Sequence, residues 1–155
     1  MTIARIAAAT IAIAAAGPAS MSMAASTPVL VKMVGRTQLT TMETPSLVQD
    51  TGTVKGSPVG SGNITLNYRL FPTRGVATVT WTVTNSKGTL SGTCRTFYST
   101  TDVSWTFAGI AKVTGGTGAY RGVKAFPMQF FAKHSKLGRH EVIGFNGTAS
   151  LPKAG

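Results

Sequence analysis

The stretch NITLNYRLFPTRGVATVTWTVT, Asn63 to Thr84, decides the fold class. Ile64, Leu66, Tyr68 and Leu70 alternate with Thr65, Asn67 and Arg69. Beyond it, Ala77, Val79, Trp81 and Val83 alternate with Thr78, Thr80, Thr82 and Thr84. Successive side chains of a strand point to opposite faces, so this period of two describes two strands, each with one dry and one hydroxyl-bearing face. Pro72 to Gly75 between them reads as the turn of a hairpin.

Working outward, the same signal recurs. Val29 to Gln38 reads as a strand, followed by a loop from Thr40 to Ser46 that carries Glu43 and Pro45. Leu47 to Val54 reads as a short strand, ended by the Pro58 and glycine cluster of KGSPVGSG. After Thr84, Asn85 to Gly88 closes a second hairpin. Strands follow at Thr89 to Tyr98, Val103 to Val113, Lys124 to His134 (with Phe126, Met128 and Phe130) and Glu141 to Leu151. About eight strands with short connections predict an all-β fold, an antiparallel up-and-down barrel, with a β-sandwich as the alternative. Closing the sheet would abolish its edges.

Residues 1–26 have the three parts of a secretory leader: Arg5 near the start, the apolar run Ile6 to Gly17, and small residues after Pro18. The run is shorter than the roughly 20 residues a membrane-spanning helix needs. Cleavage near Ala24 or Ser26 is expected, leaving residues 27–155 as a single barrel domain without a transmembrane span, secreted or otherwise extracytoplasmic. A lone cysteine, Cys94, allows no internal disulfide, so the barrel must stand on packing. Cys94 itself reads as a small buried apolar group.

The formal charge of +11, of which Arg5 is one, predicts attraction to anionic surfaces without implying specificity. Lys133, Lys136 and Arg139 cluster around the expected hairpin tip at Lys136 to Gly138 and are the candidate anion contacts. No aromatic platform accompanies them, so nucleic acid is not an expected partner. His134 and His140, even with Glu141 beside them, are too sparse to assign a metal site. No nucleophile elbow, readable triad or phosphate loop is present. No cofactor is expected.

The segment VTGGTGAYRGV, Val113 to Val123, reads as a tight turn between strands, because four glycines in eight residues suit neither a helix nor a regular strand. Its GGTGAYRG core resembles the Gly-Gly-Thr-Gly-aromatic-x-Gly segment of the allene oxide cyclase and dirigent barrels. VGSG at Val59 to Gly62 resembles the glycine-containing entry to an early strand of the same families. The resemblance implies a barrel that guides a small apolar molecule. It assigns Gly115, Gly116, Gly118, Tyr120 and Gly122 a structural role and carries over no catalytic residue, since Glu43, Asp50, Asp102 and Glu141 match no family motif. The favoured reading is a non-catalytic binding or structural barrel, its interior lined in part by Tyr68, Trp81, Trp105, Phe107 and Phe130 and either packed solid or holding a small hydrophobic molecule. The alternative is a cyclase- or isomerase-like enzyme. An acidic residue or histidine inside the barrel near Tyr68 or Tyr120 would favour the enzyme. Ligand and oligomeric state are not readable from the chain.

Overall fold

The computed structural model describes residues 27–125 and 127–151; the leader read from residues 1–26, and Phe126, lie outside the described residues. Nine strands follow one another: β1 (Thr27–Thr44), β2 (Leu47–Ser57), β3 (Gly60–Phe71), β4 (Val76–Asn85), β5 (Gly88–Thr100), β6 (Ser104–Gly116), β7 (Lys124–Ala125), β8 (Met128–Ser135) and β9 (His140–Leu151). Each pairs antiparallel with its sequence neighbour from β1 to β6, β6 pairs with β8, β8 with β9, and β9 with β1. The last pairing closes an eight-stranded barrel, to which β7 adds a short ninth strand. Among the described residues no helix is long and apolar enough to cross a membrane.

Alternation sets the wall. Along β1, Val31, Met33 and Thr37 point inward while Leu30, Lys32, Val34 and Arg36 face outward. Along β4, Ala77, Val79, Trp81 and Val83 are buried, as the period of two requires. The middle of the barrel is packed solid by Trp81, Phe130 and Phe145, with ring centroids 5.0 Å (Trp81 to Phe145) and 5.1 Å (Phe130 to Phe145) apart. Gly92 makes room for this packing: a Cβ there would come within 2.3 Å of the Trp81 ring. Cys94 is buried and free, and burial pushes its thiol up to about 12.

Three boundaries differ from the sequence reading. The segment Thr40 to Ser46 is strand as far as Thr44, because β2 pairs with it up to Thr44 opposite Leu47, beyond the end of the β9 ladder at Gln38; register shifts between Leu39 and Thr41 and between Met42 and Thr44 absorb its irregularity. β2 runs on to Ser57 rather than ending at Val54. The strand expected from Lys124 to His134 is split. Lys124 pairs with Ser150, whereas Gln129 pairs with Asn146, a slip of one residue around Pro127, which has no N–H to give to a ladder.

The glycine segment is also less of a simple turn than expected. Gly115 and Gly116 still belong to β6, paired with Ser91 and Leu90. The chain turns at Gly118 to Tyr120 in a single 3-10 turn, with Gly118 and Gly122 at φ 57° and 74°, where a side chain is strained. The turn docks under the β4–β5 hairpin: Ala119 N–H donates to the Lys87 carbonyl at 2.8 Å, and Thr117 N–H to the Thr89 carbonyl at 2.9 Å. Tyr120 is buried there, its hydroxyl accepting from Asn85 Nδ2 at 2.8 Å. This is the lower end. In a meander successive hairpins alternate between ends, so the β1–β2, β3–β4, β5–β6 and β8–β9 connections form the upper end.

Candidate functional site

Five inward-facing polar residues converge near the upper end, each one step of the pleat from apolar neighbours on its own strand. Asp50 follows Val48 on β2, Tyr68 follows Leu66 on β3, and Thr37 follows Met33 by two inward steps on β1. His134 follows Ala132 on β8, and Glu141 precedes Ile143 on β9. Register brings them together: Glu141 lies opposite both Thr37 and His134.

Glu141 is the centre. The Tyr68 hydroxyl donates to its carboxyl, at 2.9 Å from Oε1 and 2.8 Å from Oε2, and the Thr37 hydroxyl donates to Oε2 at 3.1 Å. Burial is the first cause that lifts the Glu141 carboxyl, to about 8; the charge of Asp50 adds to it, and the Tyr68 and Thr37 hydrogen bonds oppose it. The net effect favours the protonated form of Glu141. Burial, then the neighbouring Glu141, likewise holds the Tyr68 phenol well above its ordinary range, so it stays a donor. His134 Nδ1 lies 3.5 Å from Asp50 Oδ2, and Asp50 Oδ1 has no hydrogen-bond partner among the described residues. An isolated buried oxygen of this kind costs about 1–3 kcal/mol, so it is a feature to be explained.

Above the cluster is a cavity of about 10 Å³ bounded by Val48, Asp50, Tyr68, Leu70, Trp105, Phe107, His134 and Glu141, close to the smallest space that holds one water. Over it opens a depression of about 270 Å³ lined by Leu39, Met42, Val48, Trp105, His134, Lys136 and Arg139. Val48, Trp105 and His134 bound both spaces. His134, whose side chain is 9% exposed, thus connects the buried carboxyls to the mouth. A larger depression of about 630 Å³ lies beside Arg36, Gln38 and Thr53, and Thr37, His140 and Glu141 also line it.

Of the residues assigned to the interior, Tyr68, Trp81, Phe107 and Phe130 are buried inside, while Trp105 is half-buried at the mouth with its ring 5.8 Å from that of His134. Of the anion candidates, Lys136 and Arg139 stand at the mouth, Lys136 with its ammonium 5.8 Å from the Trp105 ring centroid. Lys133 is on the outer face of β8 and does not join them. The sequence reading left Asp50, His134 and Glu141 without a role. Their signal was present in the phase: each occupies the inward position of its strand, where an apolar residue is the rule. No family model, curated protein or solved structure matches the chain.

Proposed function

We propose that the protein is an acid–base barrel that moves protons on a small, largely apolar molecule held at the upper mouth, in the manner of an isomerase or cyclase. One observation carries this reading: a buried carboxyl, Glu141, held by the Tyr68 hydroxyl and placed beside Asp50 and His134, whose side chain is 9% exposed. Burial and the neighbouring Asp50 raise the proton affinity of Glu141, which suits it to hold a proton beside a second carboxyl group. His134 takes a proton from the molecule at the mouth or returns it, and the carboxyl pair stores it. Tyr68 and Thr37 fix the Glu141 carboxyl, and Trp105, Leu39 and Met42 supply apolar contact. Proton removal and return balance, so no co-reactant is required. The resemblance to the allene oxide cyclase and dirigent barrels agrees with a polar group at the end of an apolar barrel. Export, implied by the leader, would place the reaction outside the cytoplasm.

The test is deuterium exchange. A panel of small cyclic ketones with α-protons is incubated with the protein and a chelator in deuterium oxide and followed by mass spectrometry. Exchange of at least one ketone above the buffer rate, lost in His134→Gln and reduced in Glu141→Gln, supports the reading. Exchange no faster than buffer for every ketone, or unchanged in both variants, sinks it. A non-catalytic barrel has one observation in its favour: the solid packing of Trp81, Phe130 and Phe145, which confines any ligand to the mouth. Native mass spectrometry of the exported protein, showing a retained ligand with no exchange activity, would select that reading.

A further inference from the structure

Asp50 and Glu141 bring two carboxyl groups into the barrel, both essentially excluded from solvent. Among the described residues, no lysine or arginine forms an ion pair with either; the basic partner is the His134 imidazole. Burying carboxylate charge without a cation is expensive. One carboxyl oxygen from each acid and one ring nitrogen of His134 lie within 4.8 Å of one another, and the Asp50 carboxyl carries a second buried oxygen, Oδ1, with no hydrogen-bond partner among the described residues. The adjoining cavity bounded by the same three side chains is the size of a single water or ion.

We propose that Asp50, His134 and Glu141 bind one divalent first-row transition-metal ion. Bond lengths of about 2.0–2.2 Å to oxygen and nitrogen require tetrahedral donors roughly 3.3–3.6 Å apart. Small side-chain rotations within the cavity bring the three donors to that separation. An imidazole beside two carboxylates suits zinc, cobalt or manganese better than calcium or magnesium, which prefer oxygen ligands throughout. The ion neutralises the two carboxylates and uses the oxygen of Asp50 that is otherwise idle. Three protein donors leave a fourth position, turned toward the mouth at Trp105, for water or a small ligand, the pattern of a catalytic rather than a structural site. The ion would occupy the carboxyl oxygens that hold the proton, so metal and proton are alternative occupants of one place. The metal reading does not rest on the proton-transfer reading, since its readout is binding and the exchange assay is run with chelator.

The test is titration of the chelator-treated full chain with zinc and, separately, cobalt by calorimetry, with calcium as the comparison. The expected result is uptake of one zinc or cobalt per chain at micromolar concentration and none of calcium. Asp50→Asn, which keeps the side chain's shape, should weaken binding by tenfold or more, and His140→Gln, on the exposed tip, should leave it unchanged. In the unaltered protein, zinc should shift the nuclear magnetic resonance signals of the His134 ring and not those of the His140 ring, a readout that needs no variant to fold. Absence of zinc and cobalt uptake, full affinity in a folded Asp50→Asn protein, or a shift confined to His140 overturns the proposal.

Discussion

At the lower end of the barrel the buried tyrosine, Tyr120, meets a neutral partner: its hydroxyl takes a hydrogen bond from Asn85, whose amide also reaches the Val59 carbonyl at 2.9 Å. At the upper end the buried tyrosine, Tyr68, meets a carboxyl group whose proton affinity burial has raised, beside a second acid with an unpartnered oxygen. Both ends place one phenol among apolar side chains, yet only the upper one concentrates ionisable groups where apolar packing would be more stable. The lower end reads as structure for its own sake. The upper end retains a cost that makes sense only if the groups do something.

The largest effect expected from disturbing this contrast is at the lower turn. Gly118 has positive φ, and a Cβ there would lie 2.2 Å from the Lys87 carbonyl oxygen, so Gly118→Val should destabilise by about 1–3 kcal/mol from backbone strain, with the clash added. Gly116→Val, whose Cβ would meet the Tyr120 carbonyl oxygen at 2.4 Å, should follow, whereas a Cβ at Gly115 meets nothing within 4 Å. Thermal melts should drop in that order. Equal melts for all three would mean that the turn is not docked.

The upper end should instead show itself through pH. The Glu141 carboxyl is raised from 4.5 to about 8 in the folded chain, so its proton stabilises the fold fully below the unfolded value. As pH climbs from about 4.5 toward 8 the unfolded chain releases this proton and the folded chain does not. Stability therefore falls over that interval, by at most about 1.4 kcal/mol per pH unit for one proton. In the presence of chelator the wild-type melting temperature should decline between these limits, and Glu141→Gln should remove that part of the decline. A variant with the wild-type pH profile would show that Glu141 ionises normally.

A smaller loss is expected from Tyr120→Phe, about 1 kcal/mol for a partly buried hydrogen bond, with no change in pH dependence. Tyr68→Phe should differ from it by altering the pH profile as well as the melt, since it removes the donor to Glu141. The smallest effect concerns charge. Converting Lys133, Lys136 and Arg139 to glutamine should weaken retention on an anionic resin about as much as converting Lys55, Arg74 and Lys87, because Lys133 stands apart from the other two; a much larger loss from the first triple would reveal a built anion site.

Residues such as Val76 to Thr84 made the barrel legible, since nine residues of strict alternation admit only a strand and their repetition only a sheet. The length of β1 was hidden because Thr40 to Ser46 is mostly polar with Pro45 near its end, and pairing with β2 overrode that local signal. The site was hidden for a different reason. Thr37 and Glu141 are 104 positions apart and meet only through the β1–β9 register, which no local pattern encodes. Their inward phase was visible; their company was not.

The closure between β1 and β9 carries a consequence for how the chain becomes a barrel. Thr27 pairs with Leu151, so β1, one edge of which pairs with the adjacent β2, waits for β9 before its other edge is satisfied. Contacts of such span are the slowest to form. Until then β1 offers an open edge with Leu30 and Val34 exposed beside it, a template for pairing between chains. A circularly permuted chain, its old ends joined and new ones opened at the Lys136 to Arg139 tip, would turn this seam into a hairpin and move the first-to-last pairing to β8 and β9, so the edge open to other chains during folding should move with it.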